Sequence, residues 1–69
     1  MKISARNVLE GEIKEVHKGA TTAHVEIELK SGITVISSIT NEAVEELGLK
    51  KGVQAYAVIK ASDVMVAIK

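Results

Sequence analysis

The stretch Ala23-His24-Val25-Glu26-Ile27-Glu28-Leu29-Lys30 constrains this chain more than any other, because every odd position is apolar and every even position polar or charged. A period of two over eight residues specifies a β-strand with one face in a core and the other in water. Ser31-Gly32 follows as a turn signal and Ile33-Thr34-Val35 resumes the alternation. The spacing therefore predicts a β-hairpin closed by a two-residue turn. Beyond Val35 the alternation slips, since Ile36 and Ile39 flank Ser37-Ser38. That predicts a bulge, or a segment covered on both faces.

The remaining residues extend the same theme. Nine Val and eight Ile stand against four Leu, and β-branched side chains suit a pleated, half-buried surface better than a helix. Val8 to Val16 is a less regular strand, with Gly11 where a strand in a small barrel would coil or bulge. Lys18-Gly19 turns the chain toward residue 23. The one helical pattern runs from Asn41 to Leu47, with Thr40 or Asn41 as N-cap and Glu42, Glu45 and Glu46 on a polar face. Val44 and Leu47, three apart, are expected to point inward. Gly48 stands where a helix ends on a left-handed residue, and Leu49 can supply the apolar contact that goes with it. After a turn at Lys50-Lys51-Gly52, Val53–Lys60 and Val64–Ile68 read as two more strands around an Ala61-Ser62-Asp63 corner. Strand, strand, strand, helix, strand, strand is the order of an all-β fold: a five-stranded Greek-key barrel of the oligonucleotide/oligosaccharide-binding (OB) type, with one short helix between strands 3 and 4. Residues 1–69 are expected to form a single domain.

A 69-residue chain buries only about 60% of the surface its unfolded form exposes, so its core is marginal and association with further copies is expected. It has no cysteine, which excludes a disulfide framework and a thiolate zinc site and suits a reducing cytoplasm. Nine Lys and Arg balance nine Asp and Glu, and Tyr56 is the single aromatic. A nucleic-acid binder needs excess cations to displace counterions, and a single-strand binder needs stacking platforms. No apolar run approaches the roughly 18 residues that span a bilayer, and Met1-Lys2-Ile3-Ser4 does not open a signal peptide. The composition thus points to a soluble cytoplasmic protein with neither a membrane nor a nucleic-acid partner.

Catalytic parts are not evident: no Cys, no Gly-x-Ser-x-Gly elbow and no phosphate loop. No general base is paired with a nucleophile, so neither an enzyme nor a cofactor is expected. His24, Glu26 and Glu28 share one strand face, the minimum for a metal site. Alternate strand residues stand roughly 6.5–7 Å apart with parallel side chains, however, so a solvated face is the better reading and no metal is expected. His17 adjoins a turn. Two segments are polar where a small barrel would want apolar residues: Ser4-Ala5-Arg6-Asn7 and Lys60-Ala61-Ser62. With Ser37, Ser38 and Thr40 they offer two cations, several hydroxyls, an amide and backbone N–H groups. No carboxylate lies inside them, although Asp63 adjoins the second. Such a donor set suits a fully deprotonated tetrahedral oxyanion, which only accepts hydrogen bonds. Hydrogen phosphate carries a proton that would lack an acceptor. By themselves Arg6 and Lys60 are equally compatible with ordinary surface charges.

The segments Met1-Lys2-Ile3-Ser4-Ala5-Arg6-Asn7, Lys18-Gly19, Ser38-Ile39-Thr40, Val44-Glu45-Glu46-Leu47-Gly48-Leu49 and Ala57 to Met65 together resemble a molbindin. This is the single molybdate/tungstate-binding domain of the Mop family, which recurs in molybdate-responsive regulators and, as the TOBE domain, in molybdate importer ATPase subunits. The resemblance implies an oxyanion-binding homo-oligomer, a hexamer built as a trimer of dimers, with pockets where the Ser-Ala-Arg-Asn segment of one subunit meets the Lys-Ala-Ser corner of another. It implies that Ser4, Arg6 and Lys60 make the main contacts to molybdate or tungstate. The backbone of Ala5 and Ala61 and the hydroxyls of Thr40 and Ser62 would complete the shell, with Asn7 orienting the loop. A second oxyanion site near the threefold axes would fall at Lys18, Gly19 and Ala20. The implied role is intracellular molybdenum storage and homeostasis. A nucleic-acid-binding barrel, or a module that only oligomerises or regulates a partner, are the alternatives. Ile36–Ile39 and the apolar Val64–Ile68 are candidate interfaces.

Overall fold

In the computed structural model, which describes residues 2–69, the alternating stretch forms strand β2 (Thr22–Leu29). It lies between β1 (Asn7–Lys18) and β3 (Thr34–Thr40). Helix α1 (Asn41–Leu47) follows, then β4 (Gln54–Ile59) and a single 3-10 turn over Ala61–Asp63. The sheet order is β3-β2-β1-β4, antiparallel throughout. The fold is therefore all-β, a curled sheet with one short helix, but with four strands rather than five. The expected fifth, Val64–Ile68, is extended at Val64 yet pairs with nothing. The segment is apolar at every position, and an apolar run cannot say whether the edge it pairs with belongs to the same chain.

The inward face of the sheet makes the core. Ile13, Ala23, Val25, Ile27 and Ala57 are buried, and Val44 of α1 closes over them. Each fully buried Val or Ile contributes about 1.5–3 kcal/mol. Leu47, expected beside Val44, instead points out and is 67% exposed. A seven-residue helix has less than two full turns to bury, and Leu49 takes the inward place as the chain leaves it. The helix ends otherwise follow the sequence. Thr40 Oγ1 accepts from the Ala43 N–H at 3.0 Å. Gly48 is left-handed at φ 64°, with its N–H on the Glu45 carbonyl and that of Leu49 on the Val44 carbonyl.

The hairpin turn is one residue longer than expected. Leu29 and Ile33 face each other through a 2.7 Å backbone bond, and the three residues between them end on Gly32 at φ 93°. No bulge occurs in β3, whose register with β2 runs unbroken from Thr34 to Thr40. Ser37 takes an inward place while Ile36 faces out, 67% exposed. The bulge falls in β1, where Ile13 pairs with Ile27 but Glu15 with Glu26, leaving Lys14 as the extra residue. Gly11, three residues earlier, serves a different need. It is buried where β1 pairs with β2 and β4 at once, and a Cβ there would stand 2.6 Å from the Glu28 carbonyl oxygen. Gly11→Ala should therefore cost about 1–3 kcal/mol and lower the melting temperature by several degrees, as read by thermal denaturation. An unchanged transition would show that the strands can part without loss.

Candidate oxyanion-binding site

Pairing of β1 with β4 brings the two polar segments of one chain to the same end of the sheet, whereas the resemblance implies that they meet across two subunits. Asn7 is opposite Ile59, so the residues entering β1 and those leaving β4 emerge at the same end of the sheet. The Asn7 side chain clamps this junction by donating from Nδ2 to the Ile59 carbonyl at 3.1 Å. Lys60 is extended, at φ −64° and ψ 140°, and opens the 3-10 turn. The turn is closed by the Asp63 N–H on the Lys60 carbonyl at 2.9 Å and the Val64 N–H on the Ala61 carbonyl at 3.2 Å. Ser4, Arg6, Lys60, Ala61 and Ser62 are exposed, with Ala5 and Asn7 half-buried between them.

The charges at this end are uncommitted. Among the described residues the ion pairs are His17–Glu26, Lys18–Glu45 and Lys30–Glu10; Arg6 and Lys60 belong to none. One guanidinium, one ammonium and the Ser4 and Ser62 hydroxyls thus face solvent at one end of the sheet, ready to donate to a bound acceptor. Asp63 is the one carboxylate adjoining them in the chain.

Thr40 lies elsewhere. It pairs with Thr22 at the opposite end of the sheet. The twelve residues of β1 cover about 36 Å when fully extended, and the longest dimension of the molecule is 36 Å. A single chain therefore does not bring Thr40 to Arg6 and Lys60. Its neighbours are Lys18, Gly19 and Ala20, the turn marked as a second site. There the Gly19 N–H meets the Thr22 carbonyl at 2.7 Å, and Lys18 Nζ approaches Glu45 Oε1 at 3.3 Å. Asn41, weighed in the sequence only as a rival cap, fixes this turn. Its backbone N–H donates to the Thr21 carbonyl and its Nδ2 to the Gly19 carbonyl, both at 2.9 Å. Its Oδ1 is buried without a hydrogen-bond partner. The signal was the Thr-Asn pair itself: when Thr40 caps, the Asn41 amide is free for another task. Of the other hydroxyls, Ser37 turns inward and Ser38 outward opposite His24.

The outer strand face is occupied by its own pairs. His17 Nε2 lies 2.9 Å from Glu26 Oε2, and His24 and Glu28 are exposed. Among the described residues no three His, Cys, Asp or Glu come together as a metal set, and no helix is long and apolar enough to cross a membrane.

The family to which this curled sheet with its short helix is matched is that of the TOBE domain. The chain belongs to that family, whose model matches residues 3–66. Within it the chain is a homologue of the small molybdenum-pterin-binding (Mop) proteins. It is 47% identical over 66 residues to molybdenum-pterin-binding protein 3 of Clostridium pasteurianum, covering 96% of this chain and 97% of that one. A molybdate-binding protein from Sporomusa ovata superposes with a TM-score of 0.93 at 35% identity, covering 99% of this chain and all of that one. The cytoplasmic molybdate-binding protein ModG, solved with molybdate bound, gives a TM-score of 0.91 at 49% identity, over 94% of this chain and 46% of that one.

Because Thr40 Oγ1 caps α1, Thr40→Ala should destabilise the fold by about 1 kcal/mol while Thr40→Ser leaves it near its starting stability. Thermal melts without ligand read this directly, and equal melts for Thr40→Ala and the parent would remove the capping role.

Proposed function

We propose that this chain binds molybdate, and is also able to take tungstate, at interfaces between copies of itself, as a cytoplasmic molybdenum store rather than a catalyst. The observation that carries the reading is the pairing of Asn7 with Ile59. It sets Ser4-Ala5-Arg6-Asn7 beside Lys60-Ala61-Ser62, with neither cation held by a carboxylate. The names of the relatives, a molybdenum-pterin-binding protein and two molybdate-binding proteins, support the choice of ligand.

An acceptor-only dianion matches a donor-only shell. Arg6 offers a planar fork to two oxygens, Lys60 a point charge, and Ser4, Ser62 and the Ala5 and Ala61 backbone the remaining donors. Hydrogen phosphate is disfavoured because its proton finds no acceptor, and sulfate because it is too small to reach all the donors at once. Both segments are exposed, so the pocket needs a further wall to exclude water. A pocket that also uses Thr40 needs it from another subunit, since within one chain it lies at the far end of β1. These requirements favour a homo-oligomer, with a hexamer, a trimer of dimers, as the assembly. The Lys18-Gly19-Ala20 turn, held by Asn41, is the place for a second oxyanion where copies of that turn converge.

Charge-assisted hydrogen bonds are worth about 1.5–3 kcal/mol each. Arg6→Ala should therefore weaken molybdate binding about ten- to a hundredfold by calorimetry, with the circular dichroism spectrum and oligomeric state retained. Native mass spectrometry of the parent should show molybdate uptake that persists under excess sulfate and phosphate. Undiminished affinity in Arg6→Ala, or competition by sulfate, would overturn the assignment.

A further inference from the structure

The two proposed sites differ in how their donors stand before any anion arrives. At the Ser4–Asn7 end, Arg6 and Lys60 belong to no ion pair among the described residues. At the Lys18–Ala20 turn the donors are already engaged. Lys18 Nζ lies 3.3 Å from Glu45 Oε1, and the Gly19 N–H is taken by the Thr22 carbonyl at 2.7 Å. Both partners come from elements that the fold holds against the turn. Thr22 opens β2, and Glu45 stands on α1 one helical turn after Asn41, which puts those two side chains on one helix face. Asn41 Nδ2 donates to the Gly19 carbonyl at 2.9 Å, so this face grips the turn twice, by an amide on its backbone and by a carboxylate on its cation. The second grip is the looser one. The side chains of Lys18 and Glu45 are 47% and 73% exposed, so water or another anion has access to both.

We infer that Glu45 is a resident competitor at the second site, a carboxylate that an oxyanion must displace from Lys18 before it binds at the turn, and that it thereby sets the affinity there. The inference deepens the proposed function and rests on its second oxyanion site, though not on its first. An ionised carboxylate is itself an acceptor-only anion, so at hydrogen-bonding distance it gives the ammonium what a bound dianion would give. It also cancels the charge that would attract the dianion, and if it stays in place it repels it at close range. Exposure keeps the pair weak enough to open: one such contact shifts an equilibrium by about two- to fivefold. Where several copies of the turn share one anion, several pairs open together and the factors multiply. One chain then carries two grades of oxyanion site. The site with uncommitted cations fills first, and the site with an internal competitor fills when the anion is abundant. A store built in this way takes up its ligand over a wider range of concentration than one with identical sites.

The test compares the full-length parent with Glu45→Gln, Glu46→Gln, Lys18→Met and the double variant Lys18→Met with Glu45→Gln. Each would be titrated with molybdate by calorimetry at low ionic strength, where exposed pairs are least screened, with bound molybdate counted by native mass spectrometry. Gln keeps the length and helix propensity of Glu without its charge, and circular dichroism checks each fold. Glu46, the next residue along α1, belongs to no ion pair among the described residues, so Glu46→Gln reports the effect of net charge alone. The expected result is a second binding step tightened in Glu45→Gln by about two- to fivefold for each pair that opens, with the first step unchanged and Glu46→Gln like the parent at both. Lys18→Met should weaken the second step, and in that background Glu45→Gln should change nothing further. A second step that Glu45→Gln leaves unchanged, or that Glu46→Gln tightens as much, overturns the inference, as does a Glu45→Gln effect that persists with Lys18→Met. The two readings fail differently. Absence of a second step in every variant removes the second site and the competitor with it, whereas a second step that responds to Lys18→Met but not to Glu45→Gln removes the competitor alone. The first site is scored separately by Arg6→Ala.

Discussion

Everything in this structure depends on β1 being bonded along both edges at one short overlap. Its first half pairs with β4 and its second with β2, and Gly11 and Glu12 belong to both ladders. Ile13 extends the double bonding, since its N–H reaches the Val53 carbonyl and its carbonyl receives the Gly52 N–H. Its side chain is also 1% exposed at the centre of the core. A strand that serves two neighbours in succession must turn between them, and the chain supplies two devices for this. Gly11 removes the Cβ that would strike the Glu28 carbonyl, and the extra residue at Lys14 adds local twist.

That one strand also separates the candidate sites. Its start delivers Ser4 to Asn7 to the corner after β4, and its end delivers Lys18 to Ala20 to the cap of α1. The two donor groups lie nearly a molecular length apart and are held by different means. Asn7 clamps one to the Ile59 carbonyl and Asn41 clamps the other to the Gly19 carbonyl. In each case an asparagine fixes the backbone of a proposed site, beside the unpaired Arg6 and Lys60 at one end and beside Lys18, which is paired with Glu45, at the other. Preorganisation of this kind lowers the cost of ordering the donors when an anion arrives.

Local signals in the sequence were accurate where the chain answers to itself. The Ala23–Lys30 alternation, the Thr40 cap and Gly48 need only near neighbours, and each takes the form that its residue types dictate. Legibility failed where the deciding partner is distant. The β1 bulge depends on pairing with β2 and lies at Lys14, not at the conspicuous glycine. Ile36 broke the alternation because it faces outward as an exposed apolar residue, not because the strand bulges. The apolar run Val64–Ile68 reads as a strand but is not paired as one among the described residues, since pairing requires an edge that composition alone cannot locate. For the site, the residue types marked both polar segments, but only the Asn7–Ile59 register puts them together and separates Thr40 from them.

The balance of buried and exposed apolar surface links the proposed binding to the proposed assembly. Six residues form the buried core, while twelve large apolar side chains among the described residues remain exposed. A chain of this size has little stability to spare, so covering part of that exposed set at an interface adds a substantial fraction of the whole. An anion held between subunits binds the assembled state and not the separated chains, and so stabilises assembly by RT ln(1 + [L]/Kd), about 2.7 kcal/mol at a hundredfold excess over Kd. Reciprocity follows: whatever strengthens the interface also strengthens binding at it. A small domain with a single aromatic, no cysteine and a small core would thus hold a small dianion tightly in the proposed assembly, because the surface it leaves uncovered as a monomer would supply the walls of the pocket.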